Sequence, residues 1–375
     1  MGENRSLKWI NTIFKKTMSS HNYKEEIETL VMRAISDGAS DIHLAAGHYP
    51  AFRVSGSLVP LMNLSVLTPE DTMGMLTEII TPDFKERFLA QKEIDFSYEF
   101  YDKGRFRGSA FYQKNTVGIA LRAIPTQIKT ISELNLPPIL EMFTRKKQGF
   151  FLVVGPVGQG KSTTLASMVE LINQERAEHI VTIEDPIEYL FRSERAIIDQ
   201  REVGIDTKSF KTGLESVFRQ DVDVIMIGEM RDTETISTAV TAAETGHLVL
   251  STLHTNNASQ TIDRIIDSFP GEQQAQIRVQ LAGSLVGIFS QRLVPRISGG
   301  LIPAYELLIN NNAVSSLVRE GRTHEVDIVI ETGMKDGMID MNRSLAELVR
   351  KGEVTVENAL LYSFNPKGLE RVLQV

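Results

Sequence analysis

Cysteine is absent from the whole chain, which excludes disulfides, thiolate zinc sites, iron–sulfur clusters and a cysteine nucleophile. Long apolar runs are missing too. Phe150 to Val154 is among the longest, far short of the roughly 20 residues that a membrane span needs. A basic excess is also lacking, since 40 Lys and Arg stand against 48 Asp and Glu, a formal charge of −8. Coating a nucleic acid requires a concentrated basic surface, so no direct nucleic-acid partner is expected. No histidine has a carboxylate or a second histidine at zinc-ligand spacing. No internal repeat or low-complexity tract stands out. What remains is a chain of 375 residues, 42% apolar, too long for one compact core and apolar enough to bury two.

Residues 1–20, MGENRSLKWINTIFKKTMSS, form a basic amphipathic extension. Lys, Asn and Thr break its apolar centre, so it is not a secretory signal. Two readings are open to it: a peripheral contact with an acidic membrane surface or a partner, or a frayed terminal helix or upstream extension before a second start at Met18. Residues 21–124 read as a small α+β domain. Ile27, Leu30, Val31, Ala34 and Ile35 have helical spacing, and Ser40 to Leu44 and Ala51 to Val59 read as extended. Helices are expected over Pro69 to Ile80 and Pro82 to Ala90, each opening on proline. Ile94 to Phe100, Arg105 to Tyr112 and Val117 to Ile124 read as an antiparallel meander. Residues 125–138, PTQIKTISELNLPP, form a proline-rich linker. Over 139–375 the apolar strands Phe150 to Val154, His179 to Ile183, Val222 to Ile227 and Leu248 to Leu253 alternate with helices, the pattern of a parallel sheet with crossovers. From about Tyr305 the chain is expected to be mostly helical.

The strongest chemical signal is Gly155, Pro156, Val157, Gly158, Gln159, Gly160, Lys161 and Ser162, a complete G-x-x-x-x-G-K-[ST] loop, followed by Thr163. It stands between an apolar strand and a helix start, the context this motif requires. Glycines let backbone N–H groups curl around phosphate oxygens, the helix N-terminus adds its positive end, and Lys161 supplies a cation to the β- and γ-phosphates. Ser162 is the magnesium ligand in this arrangement, so ATP and Mg2+ are the expected cofactors. Hydrolysis needs carboxylates as well, delivered by neighbouring strands. Glu229 follows the strand Val224 to Ile227 and is the general-base candidate; Glu184 follows His179 to Ile183, where Pro186 is expected to turn the carboxylates outward. His254, beyond Leu248 to Leu253, is placed to hydrogen-bond the γ-phosphate, whereas His247 at the opposite end of that strand fits packing as well as function.

Four further segments give the chain a family resemblance: Glu184-Asp185-Pro186-Ile187-Glu188-Tyr189, Gly228-Glu229-Met230-Arg231-Asp232, Thr245-Gly246-His247 through Leu253-His254-Thr255, and Ser290-Gln291-Arg292-Leu293. With the phosphate loop they resemble the aspartate, Walker B and histidine boxes of secretion-type hexameric ATPases, and within these the type IV pilus retraction ATPases, over about Glu25 to Pro366. The resemblance implies an α/β chain with a PAS-like α+β amino-terminal domain, then a RecA-like P-loop motor domain with a helical C-terminal part. It implies ATP hydrolysis between subunits of a homohexamer, with arginines from one chain's small domain reaching a neighbour's phosphates. Arg107 and Arg122, on consecutive expected strands, are the residues for that role, and Arg105 shares their face. It also implies an inner-membrane pilus platform protein as partner, an accessory retraction ATPase as a further one, and a cytoplasmic location docked at the inner membrane's cytoplasmic face. Extension motors of the superfamily typically add an amino-terminal domain and a four-cysteine metal site, and this chain has no cysteine.

Two departures stand out. The family's AIRNLIRE-like helix reads here Ala313-Val-Ser-Ser-Leu317-Val-Arg319-Glu320, with Ser315 and Ser316 in place of Arg and Asn, and Gln159 replaces a usual Ser in the phosphate loop. The expected activity is a hexameric ATPase powering pilin depolymerisation and twitching motility. An accessory retraction paralogue, a secretion motor and an ATP-gated scaffold without turnover are the alternatives.

Overall fold

The computed structural model describes residues 22–374 apart from 55, 102 and 126; the extension expected over 1–20 lies outside the described residues. The chain divides into two compact units after residue 126.

The first unit opens on helix α1 (Tyr23–Ser36), where Asn22 accepts a hydrogen bond from the Glu25 backbone N–H and Ile27, Leu30, Val31 and Ala34 are buried. Their i, i+3, i+4, i+7 spacing makes one apolar stripe. Ile35 lies off that stripe and is exposed. Strands β1 (Asp41–Ala45), β2 (Ala51–Val54), β3 (Ser57–Pro60), β4 (Glu93–Phe100), β5 (Gly104–Gln113) and β6 (Thr116–Ile124) form one sheet in the order β3-β2-β1-β6-β5-β4, antiparallel at every pairing. The extended run over 51–59 is the hairpin of β2 and β3. Gly56 sits at φ +83°, a conformation open to glycine at little cost, and this turns the chain back on itself. Helices α2 (Pro69–Ile79) and α3 (Pro82–Gln91) start at the expected prolines, with Thr68 in a full capping box with Asp71 and Thr81 capping Phe84 N–H. Phe52, Phe88, Phe106 and Leu121 centre the core between helices and sheet.

The register aligns charge across this sheet. Arg53 pairs with Asp41, Asp41 with Arg122, and Arg122 with Arg107, and directly opposite residues share a face. Arg122 Nε lies 2.9 Å from Asp41 Oδ1, while Arg107 reaches Asp95 at 3.9 Å.

The second unit is built on seven strands ordered β13-β12-β7-β11-β10-β8-β9. These are β7 (Gly149–Val154), β8 (His179–Glu184), β9 (Ile197–Glu202), β10 (Val224–Ile227), β11 (Leu248–Leu253), β12 (Leu285–Pro295) and β13 (Leu301–Ile309). All pairings are parallel except β12 with β13. Both faces are covered. Phe150, Leu152 and Val154 pack to one side and Phe151 and Val153 to the other, which is why β7 reads as an unbroken apolar run. The region expected to be helical from about 305 begins with β13, and its helices start at Asn312. Tyr305 belongs to that strand because Ala304, Leu307 and Leu308 are fully buried against the sheet's neighbours. The segment 125–138, expected as a linker, carries Ile131 and Leu136 into the second unit's core beside Phe143 and Phe151; apolar side chains outweigh the prolines there.

The helix Asn312–Glu320 buries Val314, Leu317 and Val318, whereas Ala313 is exposed. Ser315 Oγ donates to Ala282 O at 3.0 Å, so this departure from the family pattern is a packing contact. Leu317→Ala should therefore destabilise by about 2 to 5 kcal/mol, while exposed Arg319→Ala should cost about 0 to 1 kcal/mol. Thermal melting of both variants checks the ranking, and equal melting temperatures would contradict the packing described.

Candidate active site

The parallel pairing of β7, β11, β10 and β8 brings their carboxyl ends side by side, where an open α/β sheet binds its ligand. The phosphate loop leaves β7 at Gly155, and the helix Lys161–Glu175 starts at Lys161. Gly155 has φ +149°, and a Cβ there would meet Gln291 O at 2.5 Å. Gly158 and Gly160 lie at φ +78° and +76°, so the curl of the loop needs glycine at both. Val157 is 79% exposed at the tip. Ser162 and Thr163 occupy the first helical turn; Thr163 Oγ1 lies 2.7 Å from Tyr189 OH, and Ser162 lines the cleft with Lys161, Glu184, Glu229 and His254.

Inside the cleft Lys161 Nζ donates to Pro156 O at 2.9 Å and lies 3.1 Å from His254 Nδ1. An ammonium offers only hydrogens, so Nδ1 must present its lone pair and the ring hydrogen sits on Nε2. Nε2 faces Glu229 Oε1 at 3.1 Å. A lysine–histidine–glutamate chain thus spans the site. Burial lowers the Lys161 pKa, an effect the Glu229 and Glu188 charges partly oppose.

Each residue after β10 has a physical task. Gly228 lets that strand end approach Glu184, whose Cα would lie 3.4 Å from a Cβ there. Thr252 Oγ1 donates to Gly228 O at 2.7 Å and fixes the peptide carrying Glu229. Met230 is buried, and Asp232 caps the helix Thr233–Glu244 by accepting from Thr235 N–H at 2.7 Å. Arg231, to which the motif alone gives no role, donates to Glu229 Oε2 at 2.9 Å and approaches Asp185 at 3.8 Å. Burial raises the Glu229 pKa, but the Arg231 hydrogen bond and charge, with His254 and Lys161, outweigh it and hold the carboxylate below its usual range. Glu229 is therefore ionised at neutral pH.

Glu184 differs from the expectation. Its carboxylate is turned inward and is 5% exposed, because Thr182 Oγ1 at 2.6 Å, Gln200 Nε2 at 3.3 Å and Glu188 N–H at 3.3 Å all donate to it. Burial pushes its pKa up to about 7, against the pull of those donors. His247 at the other end of β11 packs its ring on Phe218 and bonds Ala242 O. Arg107 and Arg122 lie in the first unit, opposite one another in register. Gln291 and the Gln159 side chain, which sequence reasoning gave no task, both bond across the phosphate loop; no spacing signal marks them, since their partners are 132 and 134 residues away.

A family model described as type II/IV secretion system protein matches residues 17–360. The chain belongs to this family. It is 41% identical to the type IV pilus retraction ATPase PilT of Pseudomonas aeruginosa, over 89% of this chain and 97% of that one. It is 39% identical to the type IV pilus ATPase PilU of the same organism, over 93% and 92%. Among solved structures, the pilus retraction motor PilT with bound ADP superposes with a TM-score of 0.87 at 46% identity, covering 92% of this chain and 99% of that chain. The α/β architecture with an amino-terminal domain and an ATPase domain is thereby the secretion-family architecture.

The Glu184 environment gives a signed pH effect. The native carboxyl keeps its proton to about pH 7, whereas the ordinary value for a glutamate is 4.5, so the native state binds the extra proton between those limits. The stabilisation present at low pH is lost as pH rises through about 7. Glu184→Gln cannot titrate, so its melting temperature relative to the parent should improve from about pH 5 to about pH 8. A difference that does not change with pH would remove the buried-acid description.

Proposed function

We propose that this chain is a motor ATPase that hydrolyses ATP to drive retraction of type IV pili, the activity carried by its retraction-ATPase relatives. The observation that supports it most is the lysine–histidine–glutamate chain beside a complete phosphate loop. When ATP arrives, its β- and γ-phosphates compete with Pro156 O and His254 for Lys161, because phosphate oxygens bear full charge and those acceptors do not. His254 is then free to turn its ring toward the γ-phosphate. Glu229, ionised and held by Arg231, orients the attacking water and accepts its proton. The oxygen donors around the cleft, Ser162 with Glu229, suit a hard cation such as Mg2+, which would supply charge neutralisation on the phosphates when bound. Ser162 is the residue to hold it.

The active form on this reading is a homohexamer. Arg107 and Arg122 of one subunit neutralise charge developing on a neighbour's phosphates. The ring works in the cytoplasm against an inner-membrane platform protein, alongside an accessory retraction ATPase. Ser315 and Ser316 support a second reading, in which this chain is itself the accessory motor. Deleting the gene separates them: loss of the principal motor leaves excess surface pili, loss of the accessory one leaves pilus number near normal.

Lys161→Ala should lose ADP binding, whereas Glu229→Gln should keep binding and lose phosphate release by about two orders of magnitude or more. Turnover in Glu229→Gln equal to the parent removes Glu229 as the base.

Supply of arginine in trans makes a different demand. Rings mixed from an Arg107→Ala, Arg122→Ala chain and a Lys161→Ala chain should regain activity that neither has alone, since one contributes the loop and the other the arginines. Mixed rings that assemble but stay as inactive as the separate variants would refute it.

A further inference from the structure

The ladder between β7 and β12 ends at the pair Val154 and Ser290. Beyond it β7 becomes the phosphate loop, while β12 runs on to Pro295, leaving the loop beside a strand edge with no backbone partner for it. Two side-chain amides fill that gap. Gln291, 3% exposed, accepts from Thr164 Oγ1 at 2.7 Å with Oε1 and donates from Nε2 to Gln159 O at 2.8 Å. The Gln159 side chain answers in the other direction, its Oε1 accepting from Leu293 N–H at 2.7 Å. Loop backbone meets strand side chain, and strand backbone meets loop side chain.

The glycines of the loop fit the same contact. A Cβ at Gly160 would lie 3.0 Å from Gln291 Nε2 and 3.4 Å from Leu293 Cδ1, and one at Gly155 would strike Gln291 O. Gln291 and Leu293 alternate onto one face of β12 and press on the loop where it lacks side chains. Between them Arg292 takes the other face, donating to Asn256 Oδ1 at 2.8 Å and lying over the Phe364 ring.

We infer that Gln291 and Gln159 are positioning residues for nucleotide binding: their two amides clasp the phosphate loop to β12 and hold its phosphate-binding curl before nucleotide arrives. A loop with three glycines at positive φ has many other conformations available, and ordering it on binding would subtract from affinity. The clasp removes most of that cost in advance. Neither amide needs to reach the phosphates, so the effect falls on binding and not on the chemical step.

The inference rests on the phosphate loop binding nucleotide, and Lys161→Ala serves as the control for that. The parent, Lys161→Ala, Gln291→Met and Gln159→Ala are compared by ADP calorimetry, steady-state phosphate release and thermal melting. Methionine keeps the length of Gln291 without its hydrogen bonds. Gln159 is half-buried on the loop, so its variant gives the answer should Gln291→Met not fold. Both glutamine variants should raise the ADP Kd and the ATP KM by at least about fivefold, with kcat at saturating ATP falling by less than about twofold. A glutamine variant that binds ADP like the parent, or loses kcat with KM unchanged, overturns the clasp. If Lys161→Ala also binds like the parent, it is the nucleotide reading that has failed.

Discussion

The rest of the site depends on the burial of a parallel sheet on both faces. Apolar residues alternate to two clusters along β7, β8, β10 and β11, and only a sheet enclosed by helices on each side satisfies both directions at once. That burial fixes the strands in register, and register places their carboxyl ends on one line. Gly158, Glu184, Glu229 and His254 each follow or finish a different strand, yet they meet in one cleft. Polar groups can be brought into that cleft because the backbone delivering them is already paid for by the core beneath.

Within the cleft, charge is balanced by local pairing. Lys161, His254, Glu229 and Arg231 alternate donor and acceptor, so each charge along this chain has a partner. The two carboxylates are driven apart by their partners: a cationic neighbour keeps Glu229 ionised, while neutral donors leave burial in control of Glu184. Two acids in one cleft thereby acquire different protonation at neutral pH. The first unit handles charge by another device, a row of arginines with one buried aspartate between them. Asp41, hydrogen-bonded by Ser40 and Arg122, stays below its usual range although burial opposes this, and its charge offsets the repulsion that stacked arginines would otherwise feel.

Motifs with a strict local geometry were legible in the sequence. The phosphate loop, the carboxylates at strand ends and the proline-led helices follow from short-range rules: glycine's freedom at positive φ, proline's fixed φ, and period-two or period-3.6 apolar patterns. The meander expected over Ile94 to Ile124 is a three-strand antiparallel run, and its register puts Arg107 and Arg122 opposite one another, as alternation on antiparallel strands requires. Where local signals conflict with burial, burial prevails, so the proline-rich stretch holding Ile131 and Leu136 joins the core and Tyr305 sits in a strand.

By itself the sequence determined the fold class, the family, and the places of the phosphate loop, of Lys161 at the helix start and of Glu229 beyond a strand end, because each is carried by residues close together in the chain. Tertiary structure alone decided the inward turn of Glu184, which requires Gln200 on the neighbouring strand β9 beside Thr182 on its own strand, and the lysine–histidine contact between residues 93 apart. It also decided the tasks of Arg231, Gln159 and Gln291. An amide or a guanidinium has no spacing signature of its own; what it does is set by whichever donor or acceptor the packed sheet brings within about 3 Å, the range of a hydrogen bond.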